Sequence, residues 1–253
     1  MSVAPTEIDY FSKAHPLRGV ATRVALGARR KMFAEFVRRA PFDARTSVID
    51  VGVTPDRELA DSNFFERLYR YPANITATSI EDASFLEDQF RGLRFVRTDG
   101  DTLPFGDRDF DIAFSSAVIE HVGDRDAQRR FVAELTRVSK RFFLTTPNRW
   151  FPVEVHTFLP LLHWLPQRVH QQILRLLRRP FWASVDNLNL LSPADLMGLF
   201  PSHVEVHLVR YRTLGWCSNL IAYGRRHPEL SPFGALDRSS STSSSGPASR
   251  NAP

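Results

Sequence analysis

Three features of the 253-residue sequence predict an α/β fold: a seven-stranded, mostly parallel sheet with an antiparallel last strand, in a three-layer α/β/α arrangement. Short apolar, β-branched runs alternate with helical patterns along most of the chain, which is how βαβ units read in sequence. The composition is 43% hydrophobic and 24% charged, so a sizeable core is within reach. The final two apolar runs are joined only by RTLGW, short enough for a hairpin that reverses the last strand.

The elements follow in order. Residues 1–27 read as a loosely ordered arm, before a helix over Arg29–Arg39 with Met32, Phe33 and Phe36 on one side. Thr46–Val51 is a buried strand ending near Gly52. Glu58–Tyr69 carries Leu59, Phe64, Phe65 and Leu68 among charges, a helical pattern. Ile75–Ile80, Leu93–Val96 and Phe110–Ser115 are the second, third and fourth strands. Ala127–Val138 places Phe131, Leu135 and Val138 on one helix face, and Phe142–Thr146 is a fifth strand stopped by Pro147. The rhythm then changes. Residues 148–190 hold several prolines, three tryptophans and a basic helix over 167–179, and read as an inserted cap within a domain spanning 28–238. Ser192 is an N-cap before Pro193 at the first helical position. Val204–Arg210 and Ser218–Tyr223 close the sheet, and the serine-rich 239–253 reads as a disordered tail.

Composition excludes several classes. The single cysteine, Cys217, rules out a disulfide framework and any Cys-based zinc site. No run of eighteen apolar residues exists, and the N-terminus lacks the apolar core of a signal peptide, so a cytoplasmic protein is expected. The net charge of +5 is concentrated: Thr157 to Ser184 contains no acid, yet holds Arg168, Arg175, Arg178 and Arg179. Such a patch suits phosphate or anionic lipid, or is a solvated helix face.

In open α/β sheets, ligands sit at the carboxyl ends of the strands, where strand order reverses. The first strand ends Asp50-Val51-Gly52-Val53-Thr54-Pro55, with one glycine where a nucleotide loop prefers several. After the second strand, Glu81 or Asp82 can accept ribose hydroxyl protons, although Asp82 equally suits a helix start. Asp99 can accept from an amine, and Gly100 beside Asp101 lets the backbone approach a flat ring. Ser116, Glu120 and His121 bring a hydroxyl, a carboxylate and an imidazole to the same rim.

The stretch TDGDTLPFGDRDFDIAFSSAVIEHV, followed by RRFVAELTRVSKRFFLTTPN, resembles class I S-adenosylmethionine-dependent methyltransferases of the type 11 group. The flanking TSVIDVGVTPD and NITATSIEDASFLE are similar to a subgroup whose first loop is glycine-poor, and the resemblance spans roughly residues 30 to 224. It implies a Rossmann-like methyltransferase fold that closes on a reversed seventh strand, with S-adenosyl-L-methionine as cofactor. It also implies that Asp50, Gly52 and the Thr54 loop lie near the methionine moiety, and that Glu81 or Asp82 holds the ribose. Asp99, with Gly100 and Asp101, would meet the adenine, and Ser116 the amino-acid end.

Methyl transfer from a sulfonium needs positioning more than a nucleophilic side chain. A base helps where the acceptor must lose a proton, and His121 is the candidate, with Glu120 beside it. Asn148, Arg149 and His156 follow the fifth strand and are candidate acceptor-binding residues. His156, His163 and His170 recur every seven residues, but prolines interrupt any helix through them, and no metal site is expected. The acceptor is expected to be a small molecule, a glycan or a lipid-linked molecule. The basic helix, with Val169, Ile173, Leu176 and Leu177 sharing one face, suggests peripheral membrane contact. One short arginine patch without a binding module argues against nucleic acid. The competing reading is a methyltransferase-fold pseudo-enzyme acting as a binding or scaffolding partner, motivated by Thr54 and Pro55.

Overall fold

A computed structural model describes residues 18–57, 62–213 and 215–227. Its strands β1 (Val48–Val51), β2 (Ile75–Ser79), β3 (Arg94–Arg97), β4 (Phe110–Ser116), β5 (Ser139–Pro147), β6 (Val204–Thr213) and β7 (Trp216–Arg226) form one sheet. The order is β3-β2-β1-β4-β5-β7-β6. Neighbours among β1 to β5 pair in parallel, while β7 runs antiparallel to both β5 and β6. The order reverses between β1 and β4, the place where an open sheet leaves a crevice at its carboxyl edge.

Both faces of the sheet are covered, and the period-2 alternation of strand side chains divides the core in two. Ile49, Val51, Ala113, Phe142, Leu144, Leu220 and Ala222 face α4 (Arg125–Arg137) and α6 (Pro193–Met197). Val48, Ile112, Phe114, Phe143 and Ile221 face the other way, toward α1 (Arg18–Arg39), α2 (Phe64–Leu68) and α3 (Phe85–Gln89). This second core is aromatic. The ring of Phe36, fully buried, meets Phe65, Phe114 and Phe143 edge-on at 5.2–5.5 Å, a favoured packing geometry. Local signals fix the helix starts. The Asp124 carboxylate accepts from the N–H groups of Asp126 and Ala127 at the head of α4, and Ser192 with Asp195 forms a capping box on α6.

Several boundaries differ from the sequence expectation. The first helix begins at Arg18, not Arg29, so only residues 1–17 of the expected arm lie outside the described part. The helix expected over Glu58–Tyr69 shortens to Phe64–Leu68, and 58–61 lie outside the described residues. The terminal hairpin ladder runs further than apolar pattern suggests, because backbone pairing between β6 and β7 continues through polar residues to Thr213 and Trp216. Residues 148–191 contain α5 (Gln167–Leu176) and three-residue 3-10 turns at Leu162–Trp164 and Phe181–Ala183. The inward residue of α5 is Leu174, fully buried, while Val169, Leu176 and Leu177 are exposed. The face shared by Val169, Ile173, Leu176 and Leu177 is the outward one, because the contact with the body falls on the other side of the helix, at Leu174. The serine-rich 239–253 lie outside the described residues.

Candidate active site

A cavity of about 350 Å³ opens over the carboxyl ends of β1 to β4. Its lining draws Gly52, Val53 and Thr54 from the loop after β1, Ser79, Ile80 and Glu81 from that after β2, and Asp99, Gly100 and Asp101 from that after β3. Ala117, Val118 and His121 follow β4, and His156 and Arg29 complete the wall.

Gly52 has φ +96°, and a Cβ there would fall 2.4 Å from a methyl of Val118, so the close approach of these two loops demands glycine. The rest of the glycine-poor loop is held by a side chain. The N–H of Thr54 donates to Asn63 Oδ1 (3.0 Å), and Asn63 Nδ2 donates back to the Thr54 carbonyl (2.9 Å). This two-way clamp fixes a loop in which Thr54 and Pro55 replace glycines. Gly100 has φ +86°. Before it, Asp99 Oδ1 accepts from the N–H groups of Thr102 and Asp101, which hold its carboxyl below the usual range. Of the two acids after β2, Glu81 lines the cavity. Asp82 instead accepts from the Ser84 N–H (2.9 Å) ahead of α3, and is exposed.

Asp50 departs from expectation. Its neighbours Ile49 and Val51 belong to the α4 face, so the Asp50 side chain points to the opposite core, outside the cavity lining. There it meets Glu66 of α2, with Asp50 6% and Glu66 2% exposed. Burial and then the charge of Glu66 push the Asp50 carboxyl well up, and burial raises Glu66. Neither Glu66 oxygen meets a hydrogen-bond donor, so a proton held between the two carboxyls is what can join them.

At the far end of the cavity, a 3-10 turn, Ile119–His121, presents Glu120 and His121 beside His156. His121 Nδ1 donates to the Asn187 carbonyl (2.6 Å) and His156 Nδ1 to Glu154 Oε1 (2.6 Å). Glu154 is fixed in turn, its Oε2 accepting from both N–H and hydroxyl of Thr157 at 2.6 Å. Thr146 Oγ1 donates to Glu120 Oε2 (2.9 Å), while Glu120 Oε1 has no hydrogen-bond partner. Burial lifts the Glu120 carboxyl to about 7. Burial, then His156, takes His121 down to about 3. Burial opposes ionisation of Glu154, but the His156 hydrogen bond and charge prevail and bring it to about 2; His156 rises because Glu154 outweighs its own burial. An imidazole held as low as His121 is a poor store for an acceptor's proton.

Three further candidates lie outside the cavity lining. Ser116 shares a hydrogen bond with Thr145 Oγ1 (2.9 Å) across the β4–β5 ladder. Asn148 Nδ2 donates to the Cys217 carbonyl, tying β5 to β7, and Arg149 donates to the Leu165 carbonyl beside a smaller cavity shared with His163 and His170. Asn148 and Arg149 therefore hold the 148–191 segment. His156 has no part in a seven-residue histidine series and joins His121 instead. Asn63, Glu66 and Glu154 escaped the sequence reading; only Glu154, two residues before His156, carried a signal.

An open sheet with this order and a reversed β7, bearing its cavity at the β1/β4 switch, defines the class I methyltransferase fold. Residues 59–141 match the family described as a methyltransferase domain, type 11. Over that stretch the chain is similar to the S-adenosylmethionine-dependent methyltransferases of that group. Among solved structures it is similar to magnesium protoporphyrin IX methyltransferase from Synechocystis PCC 6803 with bound S-adenosylhomocysteine, at 12% identity and TM-score 0.54, covering 86% of this chain and 91% of that one. Geranyl diphosphate C-methyltransferase from Streptomyces coelicolor A3(2), in complex with Mg2+, geranyl diphosphate and S-adenosylhomocysteine, aligns at 12% identity and TM-score 0.52, over 88% and 90%. The PH0226 protein from Pyrococcus horikoshii OT3 aligns at 12% identity and TM-score 0.53, over 87% and 95%. No curated protein matches the sequence.

Proposed function

We propose that this methyltransferase acts on a hydroxyl of a small-molecule, glycan or lipid-linked acceptor, a lipid-linked one fitting best. One observation carries the reading: a single cavity runs from Glu81, Asp99 and Gly100 to His121 and His156, joining an acidic, glycine-bearing end to a histidine-lined end. The glycine-bearing turns at Gly52 and Gly100, where a Cβ would meet Val118 and Ile80, fit a cofactor that needs close backbone approach. S-adenosylmethionine, when bound, supplies a sulfonium methyl group that passes in line to the acceptor oxygen as the carbon–sulfur electron pair returns to sulfur. Glu81 would accept from the ribose hydroxyls, while Asp99 and Gly100 would flank the adenine. His121 and His156, which line the cavity's far end, receive the polar acceptor.

Residues 148–191 cap that end. Asn189 N–H donates to the Glu120 carbonyl (2.7 Å), and Gln128 Nε2 donates to the carbonyls of Ile119 and Asn189, clasping the cap to the end of β4. The outer side of the cap supports a lipid-linked acceptor. With Leu174 buried as anchor, α5 and the turn before it present Leu165, Val169 and Leu176, the last 82% exposed. Arg168 and Arg175 interleave with them on that exposed side, without an acid between Thr157 and Ser184. Apolar side chains flanked by arginines suit the headgroup layer of an anionic bilayer. Among the described residues no helix is long and apolar enough to cross a membrane.

Calorimetric titration with S-adenosylmethionine and S-adenosylhomocysteine tests the core of the reading. Micromolar binding is expected, followed by transfer of labelled methyl to hydroxyl-bearing acceptors. A folded protein that binds neither up to millimolar concentration would overturn it in favour of a binding or scaffolding role.

A further inference from the structure

Among the described residues, Glu120, His121 and His156 offer ligand atoms that all lie within 4.8 Å of one another. We propose that they form a binding site for a divalent first-row transition-metal cation at the acceptor end of the cavity. Two imidazoles and one carboxylate are a donor set for Zn2+, Fe2+, Mn2+ or Co2+ rather than for Ca2+, which prefers oxygen alone.

Each ligand is already aimed. His121 uses Nδ1 on the Asn187 carbonyl and turns Nε2 toward Glu120 Oε1, and His156 uses Nδ1 on Glu154. A hydrogen bond from the far nitrogen to a carbonyl or carboxylate is the outer-shell arrangement that orients metal-binding histidines. The carboxylate is prepared in the same way: Thr146 holds Glu120 Oε2, and Oε1, fully buried, has no hydrogen-bond partner. A carboxylate oxygen stripped of water and given no donor is costly unless a cation meets it. The fit is close. Glu120 Oε1 and His121 Nε2 stand 3.9 Å apart, whereas bonds of about 2.0–2.2 Å to one ion bring ligand atoms to roughly 3.0–3.5 Å. The widest separation in the cluster, up to 4.8 Å, needs a contraction of roughly 1–2 Å, within the reach of side-chain rotation, to close the site. Trp182, its ring centroid 4.9 Å from that of His156, shields it on one side.

The ion's role deepens the methyl-transfer reading and rests on it. Bound to the acceptor hydroxyl, the cation lowers that group's pKa, so the proton leaves to water as the oxygen–methyl bond forms and the methyl–sulfur bond breaks. Binding of the ion, by contrast, can be measured without any acceptor.

The full-length protein, stripped with chelator, is titrated with Co2+ by visible absorption and with Zn2+ by calorimetry, while S-adenosylhomocysteine binding is followed separately. The expected result is one ion per chain with d–d bands, weakened at least tenfold in both Glu120→Gln and His121→Asn and unchanged in His207→Asn. Circular dichroism verifies that each variant is folded. Absence of a Co2+ spectrum, or affinity retained in both site variants, overturns the proposal. Affinity lost instead with His207→Asn assigns the ion to the exposed Glu205–His207 pair and overturns it equally. If S-adenosylhomocysteine binds while the metals do not, only the metal site falls; if the metals bind and the nucleoside does not, the methyl-transfer reading falls.

Discussion

Replacing Glu66 by Gln should stabilise the protein at neutral and alkaline pH, although it removes an ionisable group from a buried pair. Glu66 and Asp50 are 2% and 6% exposed, and both carboxyls are raised, by burial first. In the unfolded chain both ionise near the ordinary carboxylate range, about 4. The native state thus binds more protons than the unfolded state above that pH, and stability falls as pH rises toward the folded-state values. Each retained proton gives a slope of about 1.4 kcal/mol per pH unit within that window. A Gln amide presents the donor that Glu66 lacks, without needing a proton from solvent. The expected gain is about 1–3 kcal/mol at pH 8, or roughly 3–9 °C in Tm for a chain of this size, shrinking at pH 5. Thermal unfolding by circular dichroism at pH 5 and pH 8 measures it. A Glu66→Gln protein less stable than the parent at pH 8, or with an unaltered pH dependence, would refute the shared proton.

Gly52→Ala should weaken S-adenosylhomocysteine binding at least tenfold in calorimetry. Its φ of +96° costs an L-residue about 1–2 kcal/mol, and its Cβ displaces Val118 from the cavity wall; unchanged affinity would separate this turn from the cofactor. Leu176→Asp should abolish flotation with phosphatidylglycerol vesicles while leaving Tm within ~1 °C, since the side chain is 82% exposed. Equal flotation of both proteins, or none by the parent, would remove α5 from any membrane contact.

Much of this protein is written locally. Seven apolar runs, a helix N-cap at Ser192 and a hairpin around Gly215 depend on neighbours a few residues away, and periodicity exposes them. That Glu81, Asp99 and Gly100 line the cavity was legible for the same reason, because the end of a strand is a local event and an open α/β sheet leaves its crevice at that edge. Choosing between Glu81 and Asp82 was not local: it required seeing that Asp82 turns back to the Ser84 N–H.

The direction of a side chain relative to distant elements belongs to the tertiary structure. Asp50 has the sequence position of a cofactor-loop acid, yet strand alternation and the docking of α2 turn it toward Glu66 on the other face. Asn63 substitutes for absent glycines only because the loop folds back so that its carboxamide meets Thr54. Which face of α5 turns inward is likewise tertiary: Leu174 is buried against the body, and Leu176 is left 82% exposed. Glu120 and His121 reach Glu154 and His156 across more than thirty residues, after β4 and β5 pair in parallel and Asn189 clasps the intervening segment. Sequence by itself determined the alternation, the sheet and the cofactor edge, which follow from short-range periodicity. Packing decided which carboxylates share a proton and which face of α5 meets solvent. It also brought two imidazoles and a carboxylate together, because such encounters depend on long-range contacts that local pattern does not encode.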